Sequence, residues 1–201
     1  VHLHSGLLID ADFVDHYFED WGGGKAMFVC IDKLTAVKMH DLITKAMTRK
    51  AVELHQAIKD APDEETQIEL EHRLAWLNET LTAVVVSQEQ NEVDKFKKAG
   101  LDILPHRSLM EKGFVGVEGF DDMKLEQAFK RADHPFRVAI VCAMWLTGFD
   151  VPTLSTLYLD KPMKAHTLMQ AIARANRVAE GKTNGLIVDY CGILKNLREA
   201  L

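Results

Sequence analysis

Five short apolar runs with helical patterns between them constrain this chain more than any other feature: AMFVCI (26–31), AVVVS (83–87), RVAIVC (137–142), TLSTLYLD (153–160) and GLIVDY (185–190). A strand that is apolar on successive rather than alternate residues has both faces buried. No hairpin turn signal joins neighbouring runs. The pattern therefore predicts a doubly wound α/β domain, a parallel sheet with helices on both faces. Ligands in such folds sit at the carboxyl ends of the strands.

Phe13, Tyr17 and Trp21 recur at four-residue spacing and predict a short helix that Gly22, Gly23 and Gly24 end. Helical spacing resumes at Leu34. Leu70, Leu74, Leu77 and Leu81 form a stripe, and Pro62 and Asp63 divide the region, so an inserted helical hairpin is expected over 44–82. Its charges read as a solvated face, and a partner-binding stripe is the alternative. EQNEVDKFKKAG predicts a helix closed at Gly100. The stretch holding Pro105, Gly113, Gly116 and Gly119 is less regular, and helices are expected over about 165–178 and at the end of the chain.

At 201 residues, 47% of them hydrophobic, the chain is expected to form one domain over 1–201. A net charge of −6 excludes a strong overall positive field, so any nucleic-acid contact must be local. Cys30, Cys142 and Cys191 lie in apolar runs and read as core residues of a reducing compartment. No apolar run approaches the ~20 residues of a membrane span, and the start lacks a signal-peptide layout. The chain reads as cytoplasmic, and a start without methionine reads as a piece of a longer protein. His2 and His4 have no third ligand at usable spacing, so no metal site is expected.

Gly181, Lys182 and Thr183 look like the end of a phosphate-binding loop. That motif needs a glycine where Asn176 stands, a strand before it and a helix after it; here the order is inverted. A turn between a helix and the last strand is the simpler reading, with Lys182 near a helix carboxyl end. No acidic pair of the Asp-Glu type follows a strand to hold magnesium. Upstream, Gln170, Arg174 and Arg177 are spaced by four and three, which puts them on one helix face. Arginine forks suit phosphate oxygens, although a solvated face is the bland alternative. In MWLTGFDVP, at the end of a buried strand, Gly148 permits close main-chain approach, Asp150 offers an acceptor and Pro152 fixes the exit.

Gly-x-Asp followed by Gln-x-x-x-Arg-x-x-Arg resembles motifs V and VI of superfamily 2 helicases and translocases, with Ala173 in place of the usual glycine. KAMFVCIDKLTAVKM resembles motif IV. ILPHRSLM, then PFRVAIVCAMWLTGFDVPTLSTLYLDKPMKAHTLMQAIARANRV, then GKTNGLIVDYCGIL, is similar to the motor (R) subunit of type I restriction enzymes over most of 101–194 and more loosely over 25–100. The resemblance implies a second RecA-like motor domain of an ATP-driven double-stranded DNA translocase. Its relatives in this superfamily without a nuclease are the alternative. It also implies a first RecA-like domain and a nuclease domain in the same polypeptide, and separate methyltransferase and specificity subunits. ATP and Mg2+ would be held mainly by the first motor domain, so the isolated chain is expected to be inactive. By the same resemblance Arg177 is the candidate arginine finger and Arg174 its partner; in the ATP site Gln170 places the nucleotide or couples it to the neighbouring motif, Asp150 reaches the ribose or links to the arginines, and Gly148 lets the chain come close. Lys33, Ser87 and Thr147 are the candidate contacts to the DNA backbone.

Overall fold

The computed structural model describes residues 3–19, 24–146, 148–175 and 185–194, with no side-chain description for residues 3–8 and Arg174. Five strands form one sheet: β1 Lys25–Cys30, β2 Leu81–Val85, β3 Phe136–Val141, β4 Leu154–Asp160 and β5 Leu186–Asp189. Their order is β2-β3-β1-β4-β5, and every pairing is parallel. All five lie within the apolar runs or within two residues of them. Because the sheet is covered on both sides, its residues divide by alternation between two cores. Ala26, Phe28, Val138, Ile140 and Tyr158 face one, and Met27, Val29, Ala139, Val141 and Leu157 face the other.

Helices α1 Leu3–Glu19, α2 Lys33–Lys59, α3 Glu64–Glu79 and α4 Glu92–Lys98 serve the first core through Phe13, Ile43, Leu77 and Phe96. Helices α6 Leu125–Lys130 and α7 Ala165–Ala175 serve the second through Phe129, Leu168 and Ala171. Helix α5 Leu104–Lys112 lies beside edge strand β2. The irregular stretch of the sequence thus holds two helices, α5 and α6. Each is too short for its few apolar positions to establish a period. Helix α1 likewise begins well before Phe13, the first residue of the spacing that predicts it.

Asp32 and Asp63 cap α2 and α3, their side chains accepting from the Thr35 and Thr66 amides at 2.7 and 2.8 Å. Those two caps, with the turn at Pro62, set the pair of long helices. The leucine stripe is not a surface feature. Leu77 is buried, Leu70 and Leu74 pack against the same core, and Leu81 belongs to β2. A partner-binding stripe is therefore excluded for Leu77. Cys30 and Cys142 are buried as expected, but Cys191 is exposed, because it follows edge strand β5 rather than sitting inside the sheet. Gly185 is required by packing: a Cβ there would collide with the Ala175 carbonyl, so the end of α7 sits directly against the start of β5.

Candidate functional site

The parallel strands deliver their exits to one edge. After β1 come Ile31, Asp32 and Lys33; after β2, Ser87 to Glu89; after β3, the loop to Asp150; after β4, Lys161; after β5, Tyr190 and Cys191. Two lysines on this edge each reach across an intervening strand, a span of about 10 Å between strand axes. Lys33 Nζ, following β1, pairs with Glu89 Oε1 beyond β2 at 2.7 Å, with β3 between them. Lys161 Nζ, following β4, donates to the Cys142 carbonyl beyond β3 at 2.7 Å, with β1 between them.

Arg107 of α5 fixes the exit of β2. Its Nε and Nη2 form a bidentate pair with the Glu92 carboxylate at 2.6 and 2.7 Å, and Nη1 and Nη2 donate to the Val86 and Ser87 carbonyls at 2.6 and 2.9 Å. Glu92 is buried and also accepts from the Glu89 amide at 3.0 Å. Arg107 lowers the Glu92 carboxyl below the usual carboxylate range by this hydrogen bonding, against the opposing effect of burial. Glu89 is lowered as well, first by its hydrogen bond to Lys33 and then by the charges of Lys33 and Lys95. Its Oε2 lies 3.4 Å from Lys95 Nζ, so one carboxylate sits between two ammonium groups.

The loop after β3 is shaped by two residues with positive φ, Trp145 at 67° and Gly148 at 76°. Gly148 is exposed and nothing lies within 4 Å of the Cβ it lacks, so its glycine is required by conformation and leaves the main chain open to approach. Trp145 stacks on Phe149 with ring centroids 4.2 Å apart, and Phe149 is buried. This aromatic contact pins the inner side of the loop, and Asp150 is on its outer side, exposed.

Of the residues singled out in the sequence, Lys33, Ser87, Gly148 and Asp150 fall at strand exits of this edge. Gln170 lies on α7 and is exposed, its amide 3.4 Å from His166 Nε2. Arg174 is in the last turn of α7, four residues beyond Gln170. The Arg174 side chain, Thr147, Arg177 and the segment with Gly181, Lys182 and Thr183 lie outside what is described. Glu89, Glu92 and Arg107 were missed in the sequence. Their only signals were two acidic residues just after an apolar run and the lone arginine of ILPHRSLM. Among the described residues, no cluster of three or more His, Cys, Asp or Glu side chains could hold a metal ion, and no helix is long and apolar enough to cross a membrane.

The family of type I restriction enzyme subunit R domain 3 matches residues 22–192. Over 79 residues the chain is 60% identical to the HindI endonuclease subunit of a type I restriction enzyme from Haemophilus influenzae, a stretch covering 38% of this chain and 8% of that protein. It is 49% identical over 70 residues to the SsaAORF53P endonuclease subunit from Staphylococcus saprophyticus, covering 34% of this chain and 8% of that protein. A solved fragment described as an HsdR subunit of a type I restriction enzyme from Vibrio vulnificus YJ016 shares the fold, with a TM-score of 0.51 at 16% identity over 96% of this chain and 28% of that one. The chain thus corresponds to a small part of the length of these relatives. With its family match running through every strand, the chain belongs to the type I restriction enzyme subunit R domain 3 family.

Proposed function

We propose that this chain is the second RecA-like motor domain of an ATP-dependent double-stranded DNA translocase, within the R subunit of a type I restriction endonuclease, and that the helical part of 44–82, the later turns of α2 with α3, is an insertion, its last residues Leu81 and Thr82 belonging to β2 of the sheet. The observation that carries the reading is a pairing in the fold. An open, exposed glycine with positive φ leaves β3, and after the next strand α7 carries the exposed Gln170, with Arg174 four residues further along the same helix. These residue types fit the outer half of a nucleotide site: main chain that a ligand can approach, an amide, and arginines, whose guanidinium groups suit phosphate oxygens.

In this reading ATP, with Mg2+, supplies the reactive phosphoryl group and is held mainly by the first RecA-like domain. Gln170 orients the nucleotide, Gly148 permits close approach and Asp150 accepts a hydrogen bond. Arg174 and Arg177 bring permanent positive charge toward the phosphates when the two domains close, and Arg177 stabilises the charge that develops in the transition state. Lys33, Ser87 and Thr147 contact DNA phosphates without reading sequence. The remaining motor and nuclease domains lie in the same polypeptide, methyltransferase and specificity subunits complete the assembly, and the complex works in the cytoplasm. The chain by itself hydrolyses no ATP.

The test is Arg177→Ala in the full-length subunit. DNA-stimulated ATP hydrolysis should fall by about 10³-fold or more, as expected for an arginine finger, while thermal unfolding is unchanged. Near-normal turnover would remove the finger assignment.

A further inference from the structure

Glu89 occupies an unusual place at the edge where the strands end. Its two carboxylate oxygens face two different ammonium groups, Lys33 Nζ at 2.7 Å and Lys95 Nζ at 3.4 Å. Its main chain is held separately, through the amide bonded to Glu92, and Glu92 is buried and clamped by Arg107. The main chain of the loop is therefore held by contacts other than those of the Glu89 carboxylate, and the Glu89 side chain is 43% exposed. Lys33 is more enclosed: its side chain is 14% exposed, and its ammonium is paired with Glu89.

We propose that Glu89 is an internal stand-in for a nucleic-acid phosphate: it fills the anion position between Lys33 and Lys95, and a DNA phosphodiester displaces it. The inference rests on the proposed DNA-facing role of this edge. Both occupants carry one negative charge and offer two oxygens, and a solvent-accessible pair of this kind contributes little to stability. The exchange is close to balanced. It gives a weak, reversible grip on each phosphate, and it keeps Lys33 paired when the duplex lets go. A phosphate of a bound nucleotide has the same chemistry, and the two sources are separated by experiment.

The experiment uses the full-length subunit carrying Glu89→Gln, Lys33→Met, the double variant, and Glu71→Gln as a charge control on exposed α3. Binding to a random-sequence duplex is measured by fluorescence anisotropy over about 50–200 mM salt, where phosphate contacts register as a log–log slope of about 0.9 each. Glu89→Gln should tighten binding about two- to fivefold and steepen that slope, Glu71→Gln should not, and Lys33→Met should weaken binding and cancel the gain in the double variant. If Lys33→Met weakens binding but Glu89→Gln leaves it unchanged or weaker, the stand-in is wrong and the DNA-facing reading survives. A gain that persists in the double variant, or that Glu71→Gln matches, reduces Glu89 to a general field effect and also overturns the proposal. If neither variant moves DNA affinity, both readings of this edge fall. A lower KM for ATP in Glu89→Gln, with DNA affinity unchanged, would assign the position to nucleotide phosphate instead.

Discussion

Strand β1 has a lysine at its start and another three residues past its end, and the two are held in opposite ways. Lys25 is 1% exposed, and its ammonium donates to three main-chain carbonyls, those of Phe136 at 2.7 Å, His134 at 3.1 Å and Ala128 at 3.3 Å. The Phe129 ring lies 5.5 Å away. Lys33 instead meets a half-exposed carboxylate. Carbonyls of β3 and of α6 cannot leave without unfolding the sheet edge, whereas a glutamate side chain can rotate away. The same residue type thus locks the amino edge of the sheet and leaves the carboxyl edge exchangeable.

The sharpest way to break that contrast is one substitution made at both ends. Lys25→Met keeps the stem and removes the donors, leaving three acceptors with one partner fewer, and should cost about 3 kcal/mol in chemical denaturation. The wild type should also show a pH signature that the variant lacks. Burial, with added repulsion from Arg137, lowers the Lys25 pKa to about 7, against the attraction of Asp133. Between pH 7 and the ordinary lysine value the unfolded chain keeps a proton that the folded chain has released. Stability therefore rises with pH through that window, by up to about 1.4 kcal/mol per unit. A wild type whose stability runs parallel to that of Lys25→Met from pH 7 to 10 would contradict the buried, discharged lysine.

Nothing in the sequence pointed to Lys25, and the reason is physical. A lysine just before an apolar run reads as a solvated strand start; its burial depends on carbonyls more than 100 residues away, around Ala128, His134 and Phe136. The strands themselves were legible because continuous burial demands continuous apolar sequence, and the break between α2 and α3 was legible locally at Pro62 and Asp63. The order of the strands was not legible, since β2 pairs with β3 and β1 with β4 through contacts that leave no local trace. At the carboxyl edge the sequence located Gly148 and Lys33 at strand exits. The partner of Lys33, 56 residues later at Glu89, and the Arg107 clamp behind it required the fold.

A middle-sized effect should come from His134, which neighbours Lys25 at the amino edge. Its Nδ1 accepts from the Phe136 amide at 2.9 Å, and its ring packs on Phe120. Burial and the charge of Lys25 lower its pKa to about 4. Below the ordinary histidine value the unfolded chain takes up a proton that the folded chain refuses until about pH 4. Stability then falls as pH drops through that window, by at most about 1.4 kcal/mol per unit. His134→Asn retains an acceptor able to bond the amide two residues on and abolishes the titration. It should flatten the acid limb by one proton's worth, read from denaturant midpoints at pH 6.5 and 4.5. An unchanged limb would transfer the acid sensitivity to His40 and His106, whose values burial also lowers.

The smallest effect on stability belongs to Lys33→Met, and its smallness is the informative part. The substitution keeps the stem that packs at the start of α2, and Glu89 retains Lys95 as a counter-charge. Only one partly exposed ion pair is lost, so unfolding should shift by less than about 1 kcal/mol, several times less than for the same change at Lys25. If the two variants cost the same, Lys33 is a structural pin like Lys25 and no phosphate could draw it away from Glu89 without loosening the fold. A near-silent effect on stability together with a shallower salt dependence of DNA binding is the combination that an exchangeable grip requires. A structural pin would fail the first measurement, and a lysine with no part in DNA binding would fail the second.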